Sequence, residues 1–338
     1  MFGYIVRRLI VGVVMLIVMS FVTYILFFAS PVNPARFACG KVCGPAQIKQ
    51  TAKFLGYDKP MVTQWAEFME GVVKGRDFPD DKKQRERAPQ TVVHCSAPCL
   101  GYSMLNTTTV NSELKTAFPV SFSLAIIAFI MWMAGAITFG VIAALRRGTV
   151  IDRGITAVAL LFYAFPTFWI GLALLDFVSI KWGLWPAPTY ESIADGGFGG
   201  WLLNTIMPGF TLCVVLMAGY LRMTRAFVLE SFGEDYIRTA RSKGVPERRV
   251  VFKHALRAAL TPLVTMAGMD LAILIGGAII TETVFNYPGL GKLAVTTIQT
   301  NDLPTEVGLV VLLAALVIVA NIVVDVLYAY IDPRVRLT

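Results

Sequence analysis

Charged side chains are scarce in this chain. Asp, Glu, Lys and Arg make up 15% of its 338 residues, whereas hydrophobic residues make up 56%. Soluble domains usually carry about a quarter charged residues, so the composition excludes an ordinary soluble globular protein. The net charge of +8 does not indicate nucleic-acid binding, because the basic residues gather at the ends of apolar runs. The composition therefore predicts a membrane protein with no nucleic-acid partner.

Catalytic motifs are lacking as well. The only two histidines, His94 and His254, fall on opposite sides of the predicted membrane. The metalloprotease motif HExxH, the serine-hydrolase motif GxSxG and the phosphate-binding motif GxxxxGK[ST] do not occur in the sequence. We therefore expect a non-catalytic chain that has no cofactor or metal of its own and no ATP site of the usual kind.

The chain contains six long apolar runs. Each of these runs is about 20 residues long, enough for a helix to cross the hydrocarbon core. The fold class predicted is an all-α polytopic membrane protein with six transmembrane helices, near residues 9–29, 119–144, 155–179, 206–226, 260–284 and 306–330. The first run lacks a suitable cleavage site and is expected to be retained. Pro166 predicts a kink in the third run.

The short basic loops predict the orientation. Lys and Arg concentrate at the N terminus, after the second run and after the fourth run, which places these parts in the cytoplasm. Both termini are then cytoplasmic, and a large extracytoplasmic segment lies between helices 1 and 2. The expected domains are the tail and helix 1 (1–30), the extracytoplasmic segment (31–118), and a five-helix transmembrane core (119–338) with a cytoplasmic loop at 227–259.

Four of the five cysteines fall in the extracytoplasmic segment. They form two CxxxC pairs, Cys39 with Cys43 and Cys95 with Cys99. An oxidising compartment favours disulfides, and three connectivities are open. A metal site that includes His94 is the alternative, although the spacing is not that of a zinc ribbon.

The cytoplasmic loop carries strong helix signals. Residues 235–243 lack Gly and Pro, Gly244 can stop the first helix, and Pro246 can open the second, which we place at Pro246–Leu260. Two short helices bent at Gly244 are therefore expected to form a compact projection, which we call the knob (residues 235–257). Such a projection suits binding by a soluble partner.

Within the knob, DYIRTARSKG and HALRAALTP resemble the coupling motif of ABC importer permeases of the dipeptide/oligopeptide branch. LGYDKP (Leu55–Pro60), TETVFNYPGLG (Thr281–Gly291) and DPRVR (Asp332–Arg336) resemble the same branch. The resemblance is weakest over about residues 76–98, which look like an insertion that forms an exposed protrusion.

The resemblance implies that this helix seats in a groove of a separate ATPase. Of the family's general pattern, Glu-Ala-Ala followed by Gly four residues later, only Ala240 and Gly244 match. The ATPase-coupling residues that the resemblance implies are Asp235, Tyr236, Arg238, Thr239, Ala240, Lys243, Gly244, His254 and Arg257.

By this resemblance the chain is a permease subunit of an ATP-driven importer that moves di- or oligopeptides inward by alternating access. The implied partners are a second homologous permease subunit, two ABC ATPase subunits that bind ATP and Mg, an extracytoplasmic substrate-binding protein and membrane lipid. The implied location is the bacterial cytoplasmic (inner) membrane. Related permeases carry nickel, glutathione or oligosaccharide, and the residues do not separate these cargoes. An ion-coupled secondary transporter is the alternative from another class, but its internal repeats are not evident in the sequence.

Ionisable residues inside spans are expensive in lipid and are therefore candidates for a substrate pathway. Asp176, Asp270 and Glu282 are such residues, and a carboxylate there could contact the ammonium group of a peptide. Asp270 is the deepest and the best candidate, whereas solvation at the outer surface would also account for Asp176 and Glu282. Arg222 and Arg225, at the inner end of the fourth run, are expected to extend to the inner surface.

Overall fold

The structure, a computed structural model, describes residues 2–28, 34–39 and 43–331. The C-terminal motif Asp332–Arg336 therefore lies outside the described residues. Before the second apolar run the helices are α1 Phe2–Phe28, α2 Pro34–Ala38, α3 Pro45–Leu55, α4 Met61–Lys74 and α5 Lys82–Arg87. Four short strands accompany them: β1 Arg76–Phe78, β2 Val93–Cys95, β3 Tyr102–Ser103 and β4 Thr108–Thr109.

The remaining elements of the described chain are all helical. They are α6 Val110–Leu145, α7 Val150–Ala164, α8 Thr167–Ala173 with a π-helical extension Leu174–Lys181, α9 Ile193–Gly233, α10 Asp235–Ser242, α11 Glu247–Arg249, a π-helical segment Val250–Ala255, α12 Leu256–Ile275, α13 Ile279–Val284, α14 Leu290–Thr300 and α15 Leu303–Ile331.

Among the described residues, five helical stretches are long and apolar enough to cross a membrane: Val6–Leu26, Val110–Leu145, Ile193–Gly233, Glu247–Val284 and Leu303–Val323. Helix α7 and the helix that follows it make a pair bent by 97°, and counting this pair as one span brings the number to six. The break falls at Pro166, which lies between α7 and α8. The predicted kink is therefore confirmed, and the chain is a multi-pass helical membrane protein.

The chain divides into two compact units, which are Met1–Pro119 with Pro288–Ile318, and Val120–Tyr287 with Val319–Thr338. In the first unit, α4 packs on α1. The indole of Trp65 donates a hydrogen bond to the hydroxyl of Ser20 at 3.1 Å, and the rings of Tyr24 and Phe68 are in contact. This contact ties the segment between the first two apolar runs to the first of them.

Within residues 76–98, β1 and β2 form an antiparallel ribbon, with Asp77 opposite His94, and α5 lies between the two strands in sequence. Helix α5 buries none of its side chains, as expected for a protrusion. The His94 ring is exposed but is hydrogen-bonded to Asp77 at 2.6 Å, and Arg85 contacts the same carboxylate at 3.3 Å. His94 is therefore a paired surface residue.

The outer cysteines are joined as Cys39–Cys43 and Cys95–Cys99, which is the local one of the three connectivities. The second pair lies in the core of the segment with Phe78. No group of three His, Cys, Asp or Glu residues within the described ranges is arranged to hold a metal ion. Cys213 is a buried free thiol in the second unit.

The second unit is built on α6, α9 and α12. Its core contains Leu124 and Trp132 of α6 and Leu263 of α12, all fully buried. Helices α6 and α9 approach closely at Gly140, where an added Cβ would lie 2.6 Å from the Thr224 side chain. Small residues permit such contacts between membrane helices. This framework holds the C-terminal part of α9, and the knob follows directly after α9 in the chain.

We predict that alkylation of the unreduced, detergent-solubilised protein labels none of the four outer cysteines. Reduction before labelling should add modification at all four, because each thiol is then free. Intact-mass and peptide-mass analysis measure the result. Cys213 is the internal control, since its burial should delay labelling until the protein is denatured. Labelling of the four outer cysteines without reductant would contradict the paired arrangement.

Candidate functional site

The knob begins where α9 ends. Glu234 is extended, α10 follows from Asp235, and the chain turns at Gly244, which has φ of +72°. The amide of Gly244 donates to the carbonyl of Arg241 at 2.9 Å, and that of Val245 donates to Ala240 at 3.2 Å. A left-handed residue with such bonds is a common helix stop. The predicted bend is therefore confirmed.

The second helix of the knob is longer than predicted. We expected it to end near Leu260, but α11, the π-helical segment and α12 follow one another as far as Ile275. Basic residues around Lys253 gave this stretch the appearance of a loop helix separate from the fifth span. The knob therefore continues directly into the fifth span as one helical run.

A small apolar core holds the knob together. Ile237 and Ala240 of α10 pack against Val250 and Ala255, and Ile237, Val250 and Ala255 are fully buried. Burial of one such aliphatic side chain contributes about 1.5–3 kcal/mol. These contacts set the angle between the two helices.

An ion pair also joins the two helices but contributes less. Arg241 contacts Glu247 at 2.5 Å, with both side chains about half exposed. Exposed pairs typically contribute about 0–1 kcal/mol. The hydrogen bond with Glu247 raises the pKa of the Arg241 guanidinium, which therefore stays charged. The apolar contact is the larger of the two contributions.

Most of the expected coupling residues share the exposed surface of the knob. The exposed ones are Asp235, Tyr236, Arg238, Thr239, Lys243, Gly244 and Arg257, while His254 is half-buried. Ala240 is buried, so it packs inside the knob and does not present a side chain to a partner. Exposed Phe252 was missed, and its signal was an aromatic residue within a basic stretch. Aromatic and arginine side chains are typical of protein–protein interfaces.

The three pathway acids have separate partners. Asp270 is half-buried and accepts a hydrogen bond from the Tyr220 hydroxyl at 2.5 Å. Glu282 is fully buried and accepts from the Ser121 hydroxyl at 2.7 Å, so the alternative of a solvated Glu282 is wrong. Asp176 has a half-exposed side chain that pairs with Lys181 at 2.7 Å, which agrees with a solvated position.

Arg225 is paired with a buried carboxylate. Its guanidinium contacts both carboxylate oxygens of Asp152, at 2.7 and 2.8 Å. Asp152 is 4% exposed and its carboxylate also accepts the amide of Gly148 at 2.9 Å. Sequence reasoning missed this pair because 73 residues separate its members.

Long apolar helices and an exposed, polar helical knob between two of them define a multi-pass membrane protein. The chain matches the profile "Binding-protein-dependent transport system inner membrane component" over residues 136–337, and the profile of that family's N-terminal part over residues 1–125. It belongs to this family, in the branch of dipeptide and oligopeptide ABC permeases.

Two curated relatives are similar over the whole chain. The dipeptide transport system permease protein DppB of Escherichia coli K12 is 33% identical, with 99% of each chain covered. The oligopeptide transport system permease protein AppB of Bacillus subtilis 168 is also 33% identical, covering 99% of this chain and 100% of AppB. A solved MetNI methionine ABC transporter has TM-score 0.50 at 18% identity, covering 66% of this chain and 97% of its own, and shows similarity of fold.

Gly244→Val is predicted to loosen the knob without disturbing the spans. No atom lies within 4 Å of the Cβ position, so the cost comes from the left-handed backbone, about 1–2 kcal/mol for a non-glycine residue. Hydrogen exchange of residues 235–257 should therefore accelerate roughly tenfold.

The matched control for this substitution is Gly233→Val. Its Cβ position is equally open, but its φ is not in the left-handed region. Equal exchange rates in the two variants would contradict the role of the backbone at Gly244.

Proposed function

We propose that this chain is the transmembrane permease subunit of an ATP-driven importer of di- or oligopeptides. The observation that carries the proposal is the knob, whose internal contacts are apolar and buried while its coupling residues are exposed. The sequence has no phosphate-binding loop, so nucleotide chemistry belongs to a partner. The names of DppB and AppB support peptides as the cargo.

The family suggests partners on the cytoplasmic side, within the bilayer and on the outer side. Two ABC ATPase subunits bind ATP and Mg, and one of them receives the knob of this chain. A second homologous permease subunit completes the pathway, and a substrate-binding protein delivers cargo from outside. The apolar spans contact lipid in the bacterial cytoplasmic membrane, with both termini in the cytoplasm.

The mechanism derives from the short connections between the knob and the spans on both sides. Only the extended residue Glu234 separates α9 from α10, and α11 leads through the π-helical segment into α12. A displacement of the knob by the closing ATPase pair therefore moves two spans at once. Alternating access results when these spans turn relative to the rest of the bundle.

Asp270 is the pathway acid best placed to meet a peptide ammonium group. It is half-buried, and its hydrogen bond from Tyr220 leaves acceptor capacity on the carboxylate. Asp176 and Glu282 remain pathway candidates, but their carboxylates are less available to a peptide. Asp176 pairs with Lys181, and Glu282 is buried against Ser121.

The decisive experiment uses proteoliposomes that contain this chain with the permease and ATPase subunits encoded beside it. Uptake of a labelled dipeptide should require ATP and the binding protein, and should survive an ionophore. Uptake that survives without ATP but is abolished by the ionophore would favour an ion-coupled secondary transporter. Competition with nickel, glutathione and an oligosaccharide tests the cargo.

Tyr236→Ala is predicted to weaken ATPase binding by about 2 kcal/mol, because exposed aromatics act as anchors in such interfaces. Co-purification of the ATPase at graded salt and ATP-driven uptake measure the effect. The matched control is Trp182→Ala, which removes another exposed aromatic from the loop that follows α8. Unchanged ATPase recovery with Tyr236→Ala, or an equal loss with Trp182→Ala, would contradict the docking surface.

A further inference from the structure

We propose that the Asp152–Arg225 pair is a positioning element of the transport cycle, which makes α7 and the turn before it move together with α9. Because α9 carries the knob, the pair would pass displacement of the knob to a third span that the knob does not itself continue into. The inference rests on the proposed function and adds to it a second route for the motion.

The geometry of the pair is that of a rigid clamp. The Nε and Nη2 atoms of Arg225 reach the two carboxylate oxygens of Asp152 at 2.7 and 2.8 Å. Bidentate contacts of this kind fix direction as well as distance. The Asp152 carboxylate is almost wholly buried and also holds the Gly148 amide. One side chain therefore joins the inner turn, α7 and α9.

The pair lies on α9 close to the start of the knob, so a displacement of the knob would reach it directly. Arg225 lies two turns of helix before Gly233, where α9 ends and the knob begins. A second contact joins the same two helices, because the Arg222 guanidinium lies 5.1 Å from the centre of the Tyr163 ring. Tyr163 is in the last turn of α7 and Asp152 is in its first, so the two arginines attach α9 to both ends of α7.

The interface between α7 and α9 is apolar away from the pair. A cleft of about 310 Å³, open on one side, runs along it and is lined mainly by residues of α7 and α9, which include Ile155, Val158, Phe162, Val214, Met217 and Leu221. Apolar contacts are non-directional. The ion pair therefore supplies a directional contact that the apolar contacts along this cleft do not.

The break at Pro166 can serve as a hinge for a movement of α7. Helix α7 ends at Ala164 and α8 begins at Thr167, with a 97° bend between the two halves of the broken span. A pull on the inner end of α7 can then turn the first half of the span without requiring the second half to follow rigidly. Hinges commonly lie at such ends of elements.

Other charges near the pair do not replace it. Arg146, Arg147 and Arg153 belong to the same turn and helix end and are exposed, and none of them has an ion pair among the described residues. Loss of the Asp152 carboxylate would leave the Arg225 guanidinium half-buried without its partner. A structural role alone predicts a less stable protein, whereas a positioning role predicts a change in uptake per ATP hydrolysed.

The experiment measures peptide uptake and ATP hydrolysis together in proteoliposomes of the full assembly, for Asp152→Asn, Arg225→Gln and the double variant. We expect each single variant to hydrolyse ATP near the wild-type rate but to transport about tenfold less peptide per ATP. The double variant should be no worse than either single variant, because all three lose the same joint. Arg225→Lys keeps the positive charge but loses the two-pronged guanidinium contact, so its peptide uptake per ATP should lie between that of the wild type and that of Arg225→Gln.

Several outcomes would overturn the proposal. If the rates of peptide uptake and ATP hydrolysis fall by the same factor in Arg225→Lys, the pair has a merely structural role. The same conclusion follows if the loss of uptake per ATP in the double variant is the product of the losses in the two single variants. Unchanged uptake per ATP in all variants would show no role in coupling. Arg153→Gln is the matched control, since it removes an exposed charge from the adjacent position, and a loss equal to that of Asp152→Asn would also count against the pair.

The wild-type assembly separates this proposal from the proposed function. If the wild type shows no ATP-dependent peptide uptake, the proposed function fails. If the wild type transports and the Asp152 and Arg225 variants retain wild-type coupling, only the positioning role fails.

Discussion

The buried contact of Ile237 with Val250 and Ala255 is the interaction on which the proposed mechanism depends. It fixes the angle between α10 and the helix that follows, and the left-handed backbone at Gly244 allows the chain to reach that angle. Without this contact the exposed side chains around Tyr236 would form a mobile loop. With it they form one surface, and a partner can displace that surface as a rigid piece.

Rigidity at the knob matters because the helices on both sides continue into the membrane. Helix α9 arrives from one span, and the run from Glu247 to Ile275 enters another. A polar contact extends this connection to a further helix, because the Asp152 carboxylate attaches α7 to α9. The structure thus contains a continuous covalent and hydrogen-bonded route from the exposed knob to three spans.

Sequence patterns predicted those features whose signals are local. Apolar runs and the breaks at Pro166 and Gly244 follow from hydropathy and backbone preferences. The exposed protrusion expected over residues 76–98 is confirmed only at α5, because Phe78 and Cys95 are buried. The Asp152–Arg225 pair and the bond between Tyr220 and Asp270 were not predictable, because their members lie far apart in sequence. The length of the second knob helix was underestimated, since a run of basic residues conceals its continuity with the fifth span.

The most direct test of the central claim is a cross-link from the knob surface. A photoreactive amino acid at position 236 in the purified, membrane-reconstituted assembly should capture an ATPase subunit, with a yield that changes when ATP is bound. The same probe at position 182, where an exposed aromatic residue lies outside the knob, should give little or no such product. Capture of no nucleotide-hydrolysing subunit from position 236, in an assembly that transports peptide, would contradict the account.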